Sequence, residues 1–193
     1  MSATQVFARF AHEASRRALP QEVLHHAQRA VIDWYASLYP GLAMPAVQVL
    51  EATMADDLDR GDARLALGRV ATPRSAALIN GTAAHAAEVD DSFRDAMYHP
   101  GAATIAAALA AAQATKATGV DFLRAVVLGY EVSTRIGVVM GRPHYKFWHN
   151  TGTMGSFGAA AAAAGLMGLS EDAFAHALAL AATFTAGLQQ AFR

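Results

Sequence analysis

Cysteine is missing from all 193 residues. Its absence removes disulfides, thiolate nucleophiles, zinc–thiolate sites and iron–sulfur ligation from this chain. Charge is scarce too: Asp, Glu, Lys and Arg make up 16% of the residues against 54% for the hydrophobic types, a balance shifted so far toward burial that a disordered chain is excluded. The net charge of −1 leaves no basic field for a phosphate backbone, so nucleic acid is not an expected partner. Long apolar runs are also lacking. The most membrane-like stretch, "GSFGAAAAAAGLMGL" at 155 to 169, is too short and too rich in Ala and Gly to cross a bilayer, which takes about 20 strongly apolar residues. It reads as a buried helix, and no membrane partner is expected. The N-terminus "MSATQVFARFAHEASRRALP" has the Arg and Ser of a transit peptide, but Glu13 interrupts it and no run of signal-peptide length is present, so a surface helix is the better reading. A cytoplasmic location is the expectation.

What is present is helical periodicity almost throughout, with hardly any strand alternation. Val6, Phe7, Phe10 and Ala14 mark a first helix. After Pro20, the residues Val23, Leu24, Ala27, Val31, Trp34, Tyr35 and Leu38 form a broad stripe ending at Pro40 and Gly41. Met44 to Leu58 predicts a third helix opened by Pro45, and "ARLALGRVATP" a short extended segment before Pro73. Helices follow over Ser75 to about Val89, Ala102 to Thr118, Val120 to about Met140, and from Thr151 to about Leu166. Ser170 caps the last one, with Glu171 and Asp172 where the helix dipole favours negative charge. That helix has no stop signal before Arg193, so the chain is expected to end where a longer protein would continue. The Ala and Gly of 102 to 114 and 155 to 168 let helix axes approach closely. The expectation is one all-α domain over 1–193, a multi-helix bundle with these helices at its centre. Such small side chains bury little area each, so a partner domain or subunit is expected to cover them.

Two polar knots interrupt this apolar pattern. The first, "HAAEVDDSFRDAMYHPGAA" at 85 to 103, puts His85 and Glu88 three apart on one helical face, then Asp90, Asp91 and Ser92 at or beyond the helix end, then His99 at the start of the next helix. The second, "GRPHYKFWHNTG" at 141 to 152, adds Arg142, His144, Lys146 and His149 before another helix N-terminus. Free N–H groups at such termini, with imidazoles and cations beside them, read as an anion site. Blander readings stand beside this one: Asp90 and Asp91 as a solvated C-terminal turn, and His85 as a satisfied core histidine. His12, His25, His26 and His176 occupy ordinary helical positions and receive no role. His85, Asp90, Asp91, Asp95 and His99 are types that a divalent ion accepts, but their spacing does not match the aspartate-rich motif of isoprenoid synthases and no second such helix follows. No metal is expected.

The segments "AALINGTAAHAAEVDD", "HPGAATIAAALAAA", "GVDFLRAVVLGYEVSTRIG" and "WHNTGTMGSFGAAAAAAGLMGLSEDAFAHALALAATFTAGL" together resemble the MmgE/PrpD family, whose members include 2-methylcitrate dehydratase, cis-aconitate decarboxylase and iminodisuccinate epimerase. The resemblance is most specific from Ala76 to Leu188. It implies a large helical domain joined to a smaller α/β lid, a homodimer, and an active site in the cleft between the two domains. It also implies that His99 and His149 are active-site histidines and that Ser92 stands where the family often has threonine. Departures are visible: Glu88 replaces a usual aspartate, Val89 an aromatic and Phe147 a frequent glycine, and the loop between Ser92 and His99 is slightly longer. Family members are far longer and carry a lysine–histidine motif that should begin just after this chain stops. Neither Lys116 nor Lys146 matches it. The resemblance therefore implies an N-terminal fragment, without the lid and with an incomplete site.

All these family reactions build charge on a carbon beside a carboxylate, in a substrate that is already a polyanion. Cations and helix N-termini must stabilise that charge, and a group titrating near neutrality must move a proton, which suits histidine. The sequence-level expectation is a hydro-lyase of the 2-methylcitrate dehydratase type, cofactor-free, with His99 or His149 as acid and base. Asp91 or Glu88 would orient an imidazole, and Ser92, Arg142, His144 and Lys146 would contact a small polycarboxylate. Decarboxylase-like and epimerase-like enzymes are the alternatives. A non-catalytic helical dimerisation or scaffold module is the rival from another class.

Overall fold

The computed structural model describes residues 2–192, and the chain folds as α1 (Ala3–Ser15), α2 (Gln21–Gly41), α3 (Pro45–Thr53), β1 (Leu58–Arg64), β2 (Val70–Ala71), α4 (Pro73–Ala86), α5 (Pro100–Thr115), α6 (Gly119–Tyr145), α7 (Asn150–Leu166) and α8 (Glu171–Phe184). The all-α expectation holds; a two-stranded antiparallel hairpin and the isolated bridges Phe93–Tyr98 and Trp148–Leu188 are the strand-like pairings among the described residues. Helix starts follow local chemistry. Ser2 and Gln5 form a reciprocal capping box on α1, Thr118 and Asp121 do the same on α6, and the Ser170 hydroxyl accepts the Ala173 N–H at the start of α8.

The expected third helix from Met44 to Leu58 is too long. Helix α3 ends at Thr53, and the chain passes through a short 3-10 turn at Ala55–Asp57 into β1. Tertiary partners account for the break. The Asp57 carboxylate accepts the Ser75 hydroxyl at 2.6 Å and the Arg74 guanidinium at 2.8 Å, and these bonds together with Arg60 hold its pKa down at about 2, against the opposing effect of burial. Asn80 then fastens the hairpin to α4, with its amide donating to the Arg64 carbonyl and its oxygen accepting the Ala66 N–H.

The largest core gathers Trp34 and Leu38 of α2, Ile79 of α4, Ile105 of α5 and Val126 of α6; a second joins Ala8 and Ala11 of α1 to Leu128, Val132, Phe174 and Leu178. Helices α5 and α7 are the Ala- and Gly-rich ones, and they pack against each other and against α6 at the centre. In a third, small cluster, Ala96, Tyr98 and Met154 bury the end of the loop between α4 and α5. The Tyr98 hydroxyl donates to Ser133 at 2.9 Å, and the Asn150 amide donates to the Ala96 carbonyl at 2.6 Å. The loop carrying the first polar knot is therefore fixed at its far end against α6 and α7. Among the described residues no helix is long and apolar enough to cross a membrane.

Candidate active site

Two helices begin side by side, and each begins on a histidine. His99 is the N-cap of α5, with Pro100 as its first helical residue, and His149 is the N-cap of α7; neither side chain is spent on capping. The two termini are tied directly, because the His99 N–H donates to the Thr151 hydroxyl at 3.1 Å. His85, in the last turn of α4, comes between them. Its ring lies 4.8 Å from that of His99 and 5.8 Å from that of His149, the latter pair stacked at 14°. Two helix N-termini with three imidazoles beside them make a local positive field suited to an anion.

Asp90 organises this cluster. Its side chain is only 1% exposed, and both carboxylate oxygens lie 3.1 Å from His85 Nδ1, while His99 Nδ1 lies 3.3 Å from Oδ1. Burial alone would raise the pKa of Asp90; hydrogen bonds from His85 and His99 overcome it and hold the carboxyl far below the usual carboxylate range. His99 responds in kind, its pKa raised mainly by the hydrogen bond to Asp90 against the opposing effect of burial. His149 moves the other way: burial lowers its pKa, the neighbouring His85 and His99 lower it further, and Glu88 offsets part of this. Ligand atoms of His85, Asp90 and His99 lie within 4.8 Å of one another, the kind of set a cation takes, yet hydrogen bonding alone accounts for the convergence.

A cleft of about 840 Å³ opens beside His85 and His149, with Glu88 and Thr151 at the same end; His99 does not line it, its ring lying 4.8 Å from that of His85. Glu88 is exposed there, just past the end of α4, in a left-handed conformation at φ 50°. It does not share a helical face with His85, as the spacing predicts, because α4 stops at Ala86. Asp91 faces away from the imidazoles. Its carboxylate accepts the Gly101 N–H at 3.0 Å and the Tyr130 hydroxyl at 2.8 Å, so it anchors the first turn of α5 to α6, and burial raises its pKa despite those two bonds. Gly101 is obligatory in this contact, since a Cβ there would come within 2.7 Å of Asp91 Oδ1 and 2.9 Å of the Tyr130 hydroxyl. Asp91→Ala is expected to lower stability by about 2–3 kcal/mol by leaving both donors unpaired, a Tm loss of roughly 4–12 °C in thermal denaturation, with the His99 titration unchanged in NMR.

The second knot is dispersed. Gly141, at φ 57° and ψ −163°, kinks α6 and turns the chain. Beyond it Arg142 and Lys146 are exposed, Lys146 sitting over the Phe147 ring at 5.5 Å. His144 hydrogen-bonds the Thr153 hydroxyl and stacks on Trp148. Ser92 is exposed, and none of Ser92, Arg142, His144 and Lys146 lines the cleft. The structure thus groups His99, His149 and Glu88 from the sequence-predicted set. It adds His85 and Asp90, for which the sequence equally allows a core histidine and a solvated turn and to which it assigns no role in the site.

The family model for the MmgE/PrpD N-terminal domain matches residues 5–193. The chain belongs to the MmgE/PrpD family. Among curated relatives, the cis-aconitate decarboxylase-like protein oryM of Aspergillus oryzae is 31% identical over 183 residues, covering 90% of this chain and 38% of the relative. Cis-aconitate decarboxylase of Aspergillus terreus is 29% identical over 197 residues, 96% of this chain and 40% of the relative. The human cis-aconitate decarboxylase is 28% identical over 194 residues, 93% of this chain and 39% of the relative. The chain therefore spans about two fifths of the length of the MmgE/PrpD relatives it matches.

Proposed function

We propose that this chain carries the acid–base part of a lyase site for a small di- or tricarboxylate, and that the reaction is decarboxylation of the cis-aconitate type. The observation that carries this reading is the imidazole cluster at two helix N-termini, with His149, biased toward its neutral form, lining the cleft beside His85, and His99, biased toward its charged form, against the His85 ring. In decarboxylation the bond from carbon to the departing carboxylate breaks and its electron pair passes into the conjugated carbon framework. Imidazolium then delivers the proton that completes the new C–H bond. His99, kept charged by Asp90, is the proton donor, and the two helix N-termini hold the remaining carboxylates.

The 2-methylcitrate dehydratase reading stands second, supported by the opposite bias of the two imidazoles. Neutral His149 would take the proton alpha to a carboxylate, and charged His99 would protonate the departing hydroxyl. The activities of the relatives favour the decarboxylase. Closure of the cleft by a lid or by a second subunit, and a cofactor-free reaction, belong to the same proposal.

The test is binding followed by turnover. Cis-aconitate in large excess is expected to raise the Tm of the chain, since a ligand favouring the folded form stabilises it as RT ln(1 + [L]/Kd), and His149→Gln is expected to reduce the shift. Carbon dioxide release from cis-aconitate, against the unsaturated dehydration product of 2-methylcitrate, then separates the two chemistries. No shift with any polycarboxylate would sink the reading in favour of a helical scaffold.

A further inference from the structure

We propose that the ligand of this cleft bears an apolar arm: a dicarboxylic acid substituted with an unbranched alkyl chain, its carboxylates at the imidazoles and the chain in the trough beyond them. This rests on the polycarboxylate reading and extends it to substrate class. The volume, about 840 Å³, lies in the upper range of small-molecule sites and far exceeds what a compact polyacid fills.

Among the ionisable lining residues, His85, His149 and Glu88 gather at one end and Arg74 stands alone at the other. From there one face of α4 leads away through Gly81 and Leu78 to Arg74, a run of about 16 Å at 1.5 Å per residue. Ala103 and Ala107 of α5 form the opposite wall, so no large side chain fills the space between, and near the far end Met44 and Leu78 remain 38% and 45% exposed. The few polar groups along this run are already engaged. The Thr82 hydroxyl donates to the Leu78 carbonyl, the Ser156 hydroxyl donates to the Gly152 carbonyl, and Arg74 is paired with Asp57. Past the imidazoles the trough therefore has few hydrogen bonds to offer a polar ligand, and it covers methylene groups well.

Calorimetric titration of the 193-residue chain with succinate, butylsuccinate and octylsuccinate tests this. Affinity is expected to rise about twofold per methylene, given about fourfold for full burial and a chain covered on one side, with an increasingly negative heat-capacity change. Leu78→Glu, at an exposed position, and Ala107→Phe, which plugs the wall, are expected to flatten the series while leaving the succinate Kd within about twofold, the margin of a single methylene; circular dichroism confirms folding of both. His149→Gln should weaken every member alike. A flat series in the wild type overturns the proposal even where succinate binds, and so does a rise that both trough variants retain. A dimer that Leu78→Glu dissociates in sedimentation would assign the trough to a second copy and likewise overturn it. A rise with chain length that His149→Gln leaves untouched, with no succinate binding, would instead remove the polycarboxylate reading and spare the trough.

Discussion

Asp90→Asn is expected to uncouple the charge of His99 and to abolish most of the activity that depends on it. The asparagine is nearly isosteric, but it carries no charge to hold an imidazolium. His99 then loses the largest cause of its raised pKa and the Coulombic attraction of Asp90 as well, so its pKa falls, with burial opposed only by the backbone hydrogen bonds to residues 90 and 91. At neutral pH His99, the proton donor of the proposed reaction, is then mostly discharged. Since general acid catalysis contributes about 10²–10⁴-fold, a loss of about 100-fold is expected at pH 7, shrinking as the pH is lowered and His99 recharges. Stability changes with a defined sign. A histidine whose pKa is raised on folding stabilises fully below its unfolded value and loses that contribution as pH rises through its folded value. A carboxyl whose pKa is depressed on folding stabilises above its unfolded value and loses it as pH falls through its folded value. The pair therefore stabilises most between about pH 4 and 6.5, and Asp90→Asn should cost about 3 kcal/mol there and flatten the profile. NMR titration of the His99 ring reads the effect directly. An unchanged His99 pKa in the variant would show that Asp90 does not set its charge.

The helices were legible because periodicity, capping residues and prolines sit in the sequence itself, and the MmgE/PrpD motifs were legible as ordered strings. The identity of the carboxylate that orients the histidines was not. Asp90 and Asp91 are adjacent and chemically equal, and only the folded loop turns one inward to His85 and His99 and the other toward Gly101 and Tyr130. The reversal depends on Glu88 adopting a left-handed conformation that side chains other than glycine seldom take, which composition does not announce. His85 was discounted as a lone histidine because its partners arrive only when α4 and α5 pack together and bring His99 to its ring. The second knot misled for the opposite reason. Arg142, His144, Lys146 and His149 are close in sequence, yet the Gly141 kink and the start of α7 send only His149 to the cleft. The extended segment before Pro73 was legible and holds β2, but its pairing with β1 was not, because closure of the hairpin depends on Asp57 meeting Ser75 and Arg74, a contact between residues well apart in the chain.

Gly129→Ala is expected to be among the most destabilising single-carbon additions in the molecule. Gly129 sits where α6 crosses α5 and α7, and a Cβ there would stand 2.7 Å from the Gly158 carbonyl oxygen and 3.3 Å from the Ala162 Cβ, while also striking the Thr104 methyl. The carbonyl is backbone, so relief requires moving a helix axis and not a rotamer. Ordinary helix propensity favours alanine over glycine by about 1 kcal/mol, and that gain is outweighed by an overpacking cost of about 3–4 kcal/mol. The net loss of about 2–3 kcal/mol corresponds to a Tm lower by roughly 4–12 °C in a domain of this size. Gly119→Ala, in the first turn of the same helix with nothing within 4 Å of the added carbon, supplies the control and should be neutral or slightly stabilising. Because α5 and α7 begin on His99 and His149, a shifted α5–α6–α7 crossing also displaces the imidazoles. The variant should therefore weaken polycarboxylate binding beyond what its lost stability explains, measured at a temperature where it is still fully folded. Equal Tm values for Gly129→Ala and Gly119→Ala would mean that close approach of the central helices does not hold this bundle in register.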